Sequence, residues 1–325
     1  MRLRNAMLWS VAFSVFTSAA AAQTSSPYPS RPIRLIVPFP PGAGADVVAR
    51  TLAQKVTEGL GVQVVVDNRG GAGGTLGAGL AARSAADGYT LMMGSIASLG
   101  TAQGLYKSLS YDPLKDFTPI TLAARSPSGF LTSPSLPAKS VKEVIALARS
   151  QPGKLNYSSS GGGSPSHLGM ELFKGATGIN LVHIPYRGPA EALTALVVGE
   201  AQVEIQSMLS ATPFVQGGRL RLLATTGEKR MAEYLDVPTV AEAAVPGFAV
   251  YTWFGVVAPA GVPPPVLDRL HGALVQALQS PEMRKQLATQ GAEVVANSPS
   301  EFSAFLREEV VKWNKVIRDS GARIE

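Results

Sequence analysis

The feature that most constrains the fold of this chain is a regular alternation of apolar, strand-like runs with helical patterns. Runs rich in β-branched residues, each followed by a helical pattern, occupy residues 33–39, 62–67 and 89–94. The alternation starts again with runs at residues 155–159, 181–185, 201–206 and 220–225. Because this order places parallel strands in a sheet with helices on both faces, the sequence predicts an α/β fold built from two such units.

Two extended segments connect these units. Residues 117–133 are extended in character and should be interrupted by the prolines of that region, and residues 248–259 lead back into three helical patterns at 264–278, 281–290 and 299–317. We therefore predict a discontinuous domain I (residues 23–125 and 250–325), a domain II (residues 126–249) and two hinge crossings. A ligand of such a protein is expected in the cleft, at the carboxyl ends of the strands.

The first 22 residues have the pattern of a secretory signal. Arg2 and Arg4 provide a basic start, an apolar stretch follows, and Ala22 ends a run of small residues suited to cleavage. The apolar stretch is shorter than the roughly 20 residues that a membrane span needs. We expect an exported, periplasmic protein that is not integral to the membrane.

The composition excludes several classes of function. The chain has no cysteine, so thiolate chemistry, disulfides and lipid attachment to cysteine are excluded. The formal charge of +6 falls to +4 without the two leader arginines, and no basic stripe with interleaved aromatic residues is present. A mild positive excess suits a small anionic ligand, and nucleic acid is a poor candidate.

A turn rich in proline and glycine follows the first strand and opens onto a helix. The sequence Val-Pro-Phe-Pro-Pro-Gly-Ala-Gly-Ala-Asp spans residues 37–46, and the helix should begin near Gly44. The first N–H groups of a helix lack intrahelical partners and can hold a carboxylate. The sequence thus predicts an anion-binding corner here.

Comparable loops follow other strands, at residues 68–74, 94–98, 158–167 and 186–189. Any one of them could be ordinary turn chemistry. Their recurrence at the same end of successive strands favours a cage of backbone donors. The residues proposed to bind the ligand are Phe39, Gly42, Ala43, Gly44, Ala45, Asp46, Gly73, Ser95, Ser160, Gly161, Gly163, Ser164, His167, Tyr186, Arg187, Gly188 and Gln206.

Several of these side chains also have a plausible structural role. Asp46 lies in the first turn of a helix, where the helix dipole favours an acid with or without a ligand. His167 could bond only to loop backbone, and Arg187 could pair with a ligand carboxylate or face solvent. Arg69 is expected in a structural ion pair, and Trp253 and Phe254 are expected to pack at the hinge.

Cofactor and catalytic motifs are missing from the chain. The glycine spacing at residues 71–76 does not match a dinucleotide fingerprint, and no P-loop sequence occurs. The three histidines do not pair at ligand spacing on one helix, so we expect no metal and no cofactor. Ser164 and His167 could form part of an exported hydrolase, but Gly-x-Ser-x-Gly is absent there.

Seven separated motifs span essentially the whole chain after the leader. They occupy residues 28–33, 37–42, 87–90, 111–113, 159–168, 183–188 and 238–242. Taken together, they resemble the Bug/TctC family, the solute-binding proteins of tripartite tricarboxylate transporters. The resemblance implies a two-lobed periplasmic-binding-protein fold (type II, Venus-flytrap), each lobe a mainly parallel sheet flanked by helices, and no catalysis. It also implies that the loops 39–45 and 159–167 face each other around a small carboxylate or amino acid.

Two positions depart from the family pattern. Ala43 stands where many members have glycine, and Gln206 stands where many have aspartate. A neutral amide cannot offer charge to an ammonium group, so we hypothesise an organic acid without an amino group; alternatively, Gln206 only packs at a strand end. We expect a monomer that delivers its ligand to membrane permease subunits, with a ligand-loaded sensor as the alternative.

Overall fold

The computed structural model describes residues 28–289 and 291–322, so the leader predicted at residues 1–22 lies outside it. The strands are β1 (Ile33–Val37), β2 (Val64–Asn68), β3 (Thr90–Ser95), β4 (Phe117–Thr132), β5 (Asn156–Ser159), β6 (Val182–Pro185), β7 (Val203–Ser207), β8 (Arg221–Thr225), β9 (Tyr251–Pro259) and β10 (Glu293–Val294). The helices are α1 (Gly44–Leu60), α2 (Thr75–Ala82), α3 (Ala102–Leu105), α4 (Val141–Ser150), α5 (Pro165–Thr177), α6 (Pro189–Val198), α7 (Met208–Gln216), α8 (Val240–Ala243), α9 (Pro264–Leu278), α10 (Pro281–Thr289) and α11 (Pro299–Ser320).

The sheet has two halves that share strand β4. In the first half the strand order is β2-β1-β3-β9-β4-β10, and in the second it is β6-β5-β7-β4-β8. The pairs β1–β2, β1–β3, β5–β6 and β5–β7 are parallel, whereas β4 and β9 run antiparallel to their neighbours. The prediction of an α/β fold with mainly parallel sheets and two crossings is confirmed, and the exact domain boundaries stay a prediction.

Strand β4 differs from the sequence expectation. Its prolines do not break it, and it runs unbroken for 16 residues. Its pairing with β9 shifts register next to Pro119, and Pro127 stands where β4 passes from one half to the other. A proline lacks the N–H that a regular ladder needs, so it is tolerated at such irregular positions.

Helix α1 and the last three helices begin at the residues that the sequence predicted, and α1 buries its apolar side. Helix α1 begins at Gly44 as predicted and buries Val48, Leu52 and Val56, the apolar side read from its sequence. Burying each of these side chains stabilises the fold by about 1.5 to 3 kcal/mol. The last three helices open with proline, as expected, because the first turn needs no donor there.

A buried carboxylate ties helix α11 to strand β9. Glu309 is 5% exposed, and its Oε2 accepts hydrogen bonds from Trp253 Nε1 and Trp313 Nε1, both at 2.8 Å. Both indole rings are fully buried, and Lys312 forms an ion pair with the same carboxylate. The expected packing role of Trp253 and Phe254 is confirmed, since neither side chain is more than 5% exposed.

We expect Glu309→Ala to lower the free energy of unfolding by about 2 to 4 kcal/mol, because it leaves two buried indole N–H groups without an acceptor. Denaturant unfolding measures the effect. Glu308→Ala, on the exposed side of the same turn, is the control and should change stability by less than about 0.5 kcal/mol. Equal effects of the two variants would contradict this role of Glu309.

Candidate functional site: loops at the junction of the two halves

The carboxyl ends of the parallel strands border the junction between the halves. Strand β4 leaves the first half at Pro127, opposite Tyr251, where β9 enters. The parallel strands β1, β2 and β3 end at this junction, and β5, β6 and β7 end there from the other half. The loops singled out in the sequence therefore border the junction.

The turn before α1 is held by the carboxylate of Asp46. This side chain is 3% exposed; its Oδ2 accepts from the Gly42 N–H at 2.8 Å and from Arg50 Nε at 3.0 Å. Its Oδ1 accepts from Asn68 Nδ2 at 2.9 Å. The carboxylate is thus occupied by groups of the protein, which matches the structural role considered for Asp46.

These contacts change the acidity of Asp46. Burial opposes ionisation, but the hydrogen bonds from Arg50, Gly42 and Asn68 outweigh it and lower the pKa of Asp46 below its ordinary value of 3.8. The carboxylate therefore stays ionised at neutral pH and keeps the turn in one shape.

The same turn leaves two N–H groups unpaired. Gly42 has a φ of 83°, and the Ala43 N–H donates to Pro40 O at 3.3 Å. In the described part of the chain, the N–H groups of Gly44 and Ala45 have no hydrogen-bond partner. The unpaired N–H groups of this turn are therefore fewer than expected and lie at the first two residues of α1, while anion binding there stays a prediction.

Two further loops of the first half adjoin this turn. Gly74 lies so close to the Phe39 ring that a Cβ there would be 3.1 Å from it and 3.4 Å from Ser98. Gly73 has a φ of 63°, and Ser95 caps the turn that follows β3 by accepting from the Ser98 N–H. These predicted residues of the first half form one cluster.

In the second half, the loop before α5 is tied together by its own polar groups. The Ser164 side chain caps α5 by accepting from the His167 N–H, and the Gly163 N–H donates to His167 Nδ1 at 2.9 Å. The Ser160 N–H donates to Ser166 Oγ at 2.9 Å. Because the Ser164 hydroxyl is a helix cap and His167 Nδ1 accepts from Gly163, this geometry does not favour the hydrolase alternative.

His167 stacks on a second histidine that the sequence analysis did not single out. The rings of His167 and His183 are 4.0 Å apart and nearly parallel, and the Tyr157 ring stacks at 4.7 Å from His183 and 6.3 Å from His167. Burial lowers the pKa of both histidines, that of His183 to about 4, with the neighbouring His167 contributing. The stack is therefore neutral at pH 7 and supports the 159–167 loop, where Ser159 Oγ lies 2.7 Å from His183 Nε2.

Gln206 belongs to a buried polar chain that starts at Glu204. Its Nε2 donates to Ser160 Oγ at 2.7 Å and to Glu204 Oε1 at 2.9 Å, and its Oε1 accepts from the Ser207 N–H. Glu204 is fully buried, also accepts from Ser158 Oγ, and burial raises its pKa to about 7. Both donor hydrogens of Gln206 are thus used within the protein. In the sequence, the position of Glu204 between the apolar residues Val203 and Ile205 was the one signal that could have indicated a buried polar group here.

The loop after β6 contains the remaining residues that were predicted to bind the ligand. Tyr186 lies beside the 159–167 loop, where a Cβ on Gly161 would be 3.3 Å from its carbonyl oxygen, and its hydroxyl donates to Glu200 at 3.1 Å. Arg187 is exposed and forms no ion pair within residues 28–289 and 291–322, and Gly188 precedes α6. Arg69 pairs with Asp67 at 2.9 Å, so its predicted structural role is confirmed.

The turn before α1 in the first half lies close to helix α7 of the second half. A Cβ on Gly44 would be 3.6 Å from Leu209, at the start of that helix. The opposition of the 39–45 and 159–167 loops across a cleft stays a prediction. Over the described ranges, no group of three or more His, Asp or Glu residues could hold a metal ion, and no helix is long and apolar enough to cross a membrane.

We expect Asp46→Asn to destabilise the protein by about 1 to 3 kcal/mol at pH 7, because the amide keeps only part of the acceptor set. The stabilisation from the wild-type carboxylate is present above pH 3.8 and is lost as the pH falls through its lowered folded pKa. Urea unfolding between pH 3 and 7 measures both the destabilisation at pH 7 and its dependence on pH. The variant should lose less stability than the wild type on acidification. An identical pH profile in both proteins would contradict the stabilising role of the Asp46 carboxylate.

Known proteins match the chain along most of its length. The sequence model for TctC, the tripartite tricarboxylate transporter family receptor, matches residues 48–322. Protein BugT of Bordetella pertussis is 37% identical over 314 residues, which cover 96% of this chain and 96% of BugT.

Solved structures match as well. R. palustris Rpa4515 with adipate is 36% identical, has a TM-score of 0.80 and covers 91% of this chain and 100% of its own. MatC (Rpa3494) from Rhodopseudomonas palustris with bound malate is 32% identical and has a TM-score of 0.76. The match covers 89% of this chain and 100% of the MatC chain. These relatives are binding proteins and not enzymes, as the sequence predicted. The chain belongs to the Bug/TctC family of periplasmic solute-binding receptors and has their two-lobed α/β fold.

Proposed function

We propose that this protein captures a small organic dicarboxylate and delivers it to a tripartite tricarboxylate-type transporter. The observation that carries the proposal is the start of α1, where the N–H groups of Gly44 and Ala45 have no partner in the described chain. These groups stand at the positive end of a 17-residue helix, an arrangement that suits a carboxylate. Two relatives of the same family hold adipate and malate, which are both dicarboxylates.

The second carboxylate would bind to the other half of the protein. The 159–167 loop leads into α5, and the N–H groups of Gly162 and Ser166 are unpaired within the described residues. The exposed guanidinium of Arg187 follows β6 at the same edge. A ligand with two carboxylates can contact both halves at once, and these contacts stabilise the closed form because the open form lacks them.

The surroundings of the two loops favour an acid without an amino group. An ammonium group needs a carboxylate partner, but Asp46 is occupied by three donors and Glu204 is fully buried. At the predicted contact position, Gln206 is neutral and uses both donor hydrogens within the protein. Neither Asp46 nor Glu204 is therefore available to an ammonium group, which favours a simple acid.

The location and partners are part of the same proposal. Residues 1–22 would direct export and be removed after Ala22. Domain I (residues 23–125 and 250–325) and domain II (residues 126–249) would move as the two lobes. The closed monomer would then dock on the permease subunits in the membrane.

A thermal-shift screen of refolded, ligand-free protein tests the function directly. We expect adipate, malate or a related dicarboxylate to raise the melting temperature by several degrees, since ligand at about 100 times its Kd adds about 2.7 kcal/mol. The matched controls are 2-aminoadipate, which is adipate with an added amino group, and aspartate, which has an amino group in place of the hydroxyl of malate; both should give little shift. No response to any dicarboxylate, or a larger response to the amino acids, would contradict the proposal.

We expect Gln206→Asp to weaken dicarboxylate binding by about tenfold, which corresponds to about 1.4 kcal/mol, because it adds negative charge near the ligand. Isothermal titration at pH 6 and pH 8, with the wild type measured alongside, separates charge from structural damage. A charge effect grows as the adjacent carboxyl groups of residues 204 and 206 ionise, so the loss should be larger at pH 8. An equal loss at both pH values would contradict the hypothesis.

A further inference from the structure

The buried polar chain that starts at Glu204 ends at a hydroxyl group whose own hydrogen has no acceptor. The Oγ atom of Ser160 accepts from Gln206 Nε2 at 2.7 Å and from Ser166 Oγ at 3.2 Å. A hydroxyl oxygen has two lone pairs and one hydrogen, so these two bonds occupy both lone pairs. Within residues 28–289 and 291–322, the Ser160 hydroxyl donates to no other group. Its hydrogen is therefore left for a molecule from outside the chain.

Two other groups fix the direction of the bond between Gln206 and Ser160. The Ser207 N–H, which can only donate, lies 3.0 Å from Gln206 Oε1. A carboxylate oxygen of Glu204 lies 2.9 Å from Gln206 Nε2. Turning the amide over would place Nε2 against the Ser207 N–H and Oε1 against the Glu204 oxygen, which pairs donor with donor and acceptor with acceptor. Gln206 therefore donates to Ser160, and Ser160 cannot donate to Gln206.

Glu204 anchors this arrangement from the interior of strand β7. Its side chain is fully buried and accepts from Ser158 Oγ at 2.8 Å as well as from Gln206. Burial raises the pKa of Glu204 to about 7, and neither of its two partners carries a charge. A buried carboxylate oxygen without a donor is costly in free energy, so Glu204 retains the Gln206 amide in its donating orientation.

The free hydrogen of Ser160 belongs to a loop in which other donors are unpaired as well. Ser160 is partly exposed, as a group that contacts a ligand must be. The N–H groups of Gly162 and Ser166 have no partner within the described residues. Donors gathered in one loop suit an oxygen acceptor, because charge-assisted hydrogen bonds to a carboxylate are stronger than neutral ones.

We propose that Gln206 is a positioning residue that makes the Ser160 hydroxyl a hydrogen-bond donor to a carboxylate oxygen of the ligand. The nature of that ligand rests on the proposed function. Gln206 has no donor hydrogen left, so it acts through Ser160 and not by direct contact. Ser160 then offers the ligand a hydrogen and no lone pair, which suits an oxygen acceptor and disfavours an ammonium group.

An NMR measurement on ligand-free protein at pH 8 tests the arrangement without any ligand. Gln206→Met identifies the two side-chain N–H signals of Gln206 by their disappearance. We expect Ser160→Ala to move one of these signals upfield, because it removes the 2.7 Å hydrogen bond, and to leave the signal of the hydrogen that faces Glu204 almost unchanged. The amide of Gln202 is bonded at the opposite end of β7, so its side-chain signals are the internal control and should not move.

A double-mutant cycle tests the contact with the ligand. Isothermal titration with adipate and with malate measures the affinity of each variant. We expect Ser160→Ala to weaken binding about tenfold and Gln206→Met about three- to fivefold. In the Ser160→Ala background, Gln206→Met should have no further effect, because Gln206 acts through Ser160. Gln202→Met is the matched control: it removes an amide that bonds to Gly199 O and to the Asn156 N–H, and should leave the affinity unchanged.

Three results would overturn the proposal: Gln206 signals that do not respond to Ser160→Ala, an unchanged affinity in Ser160→Ala, or purely additive effects in the cycle. Circular dichroism establishes that each variant is folded. If Gln206→Met does not fold, the side-chain signals are assigned from the Gln206 backbone resonances, and Ser160→Ala alone decides the outcome. The expected NMR response without binding of any dicarboxylate would count against the proposed function alone and leave the positioning of Ser160 by Gln206 supported.

Discussion

The antiparallel pairing of β4 with β9 is the constraint on which the rest of the structure depends. It runs from Phe117 opposite Pro259 to Pro127 opposite Tyr251 and brings two segments more than 100 residues apart into one ladder. Strand β4 then continues into the second half, where β7 and β8 flank it. Because the parallel strands of both halves end at this crossing, it determines which loops meet.

The candidate site is organised by hydrogen bonds that its loops make to themselves. Asp46 holds the turn before α1, and His167 and Ser166 hold the loop before α5. Many of the donors expected to reach a ligand are used in this way, so few free N–H groups remain in the described loops. The benefit is preorganisation: a ligand that enters fixed loops orders fewer groups, and less of its binding free energy is lost to that ordering.

Local sequence patterns were sufficient to predict much of the fold. The start of α1 at Gly44, the proline-initiated C-terminal helices and the strand–helix order follow from periodicity and capping within short windows. The continuous course of β4 could not be predicted in this way, because its prolines look like breaks until the partner strands are known. Its neighbours are set by pairings distant in the chain.

The same limit applies to the candidate site. The loops were identified from glycine and serine content, but the stack of His167 on His183 and the chain from Glu204 through Gln206 join side chains of different elements. The ion pairs of Arg125 have no sequence signal either, since the partners Glu228 and Glu293 lie far along the chain. Spacing in sequence indicates which residues share an element, not which elements meet.

The carboxylate of Glu309 has a consequence for the optical properties of the protein. The chain contains three tryptophans, and one of them, Trp9, falls in the leader-like segment. The other two, Trp253 and Trp313, are fully buried and donate to the same oxygen of Glu309. The tryptophan fluorescence of a chain that has lost its leader therefore comes from a single location, where β9 meets α11. It reports on the contact between that strand and that helix, and a ligand becomes visible in it when binding alters this contact.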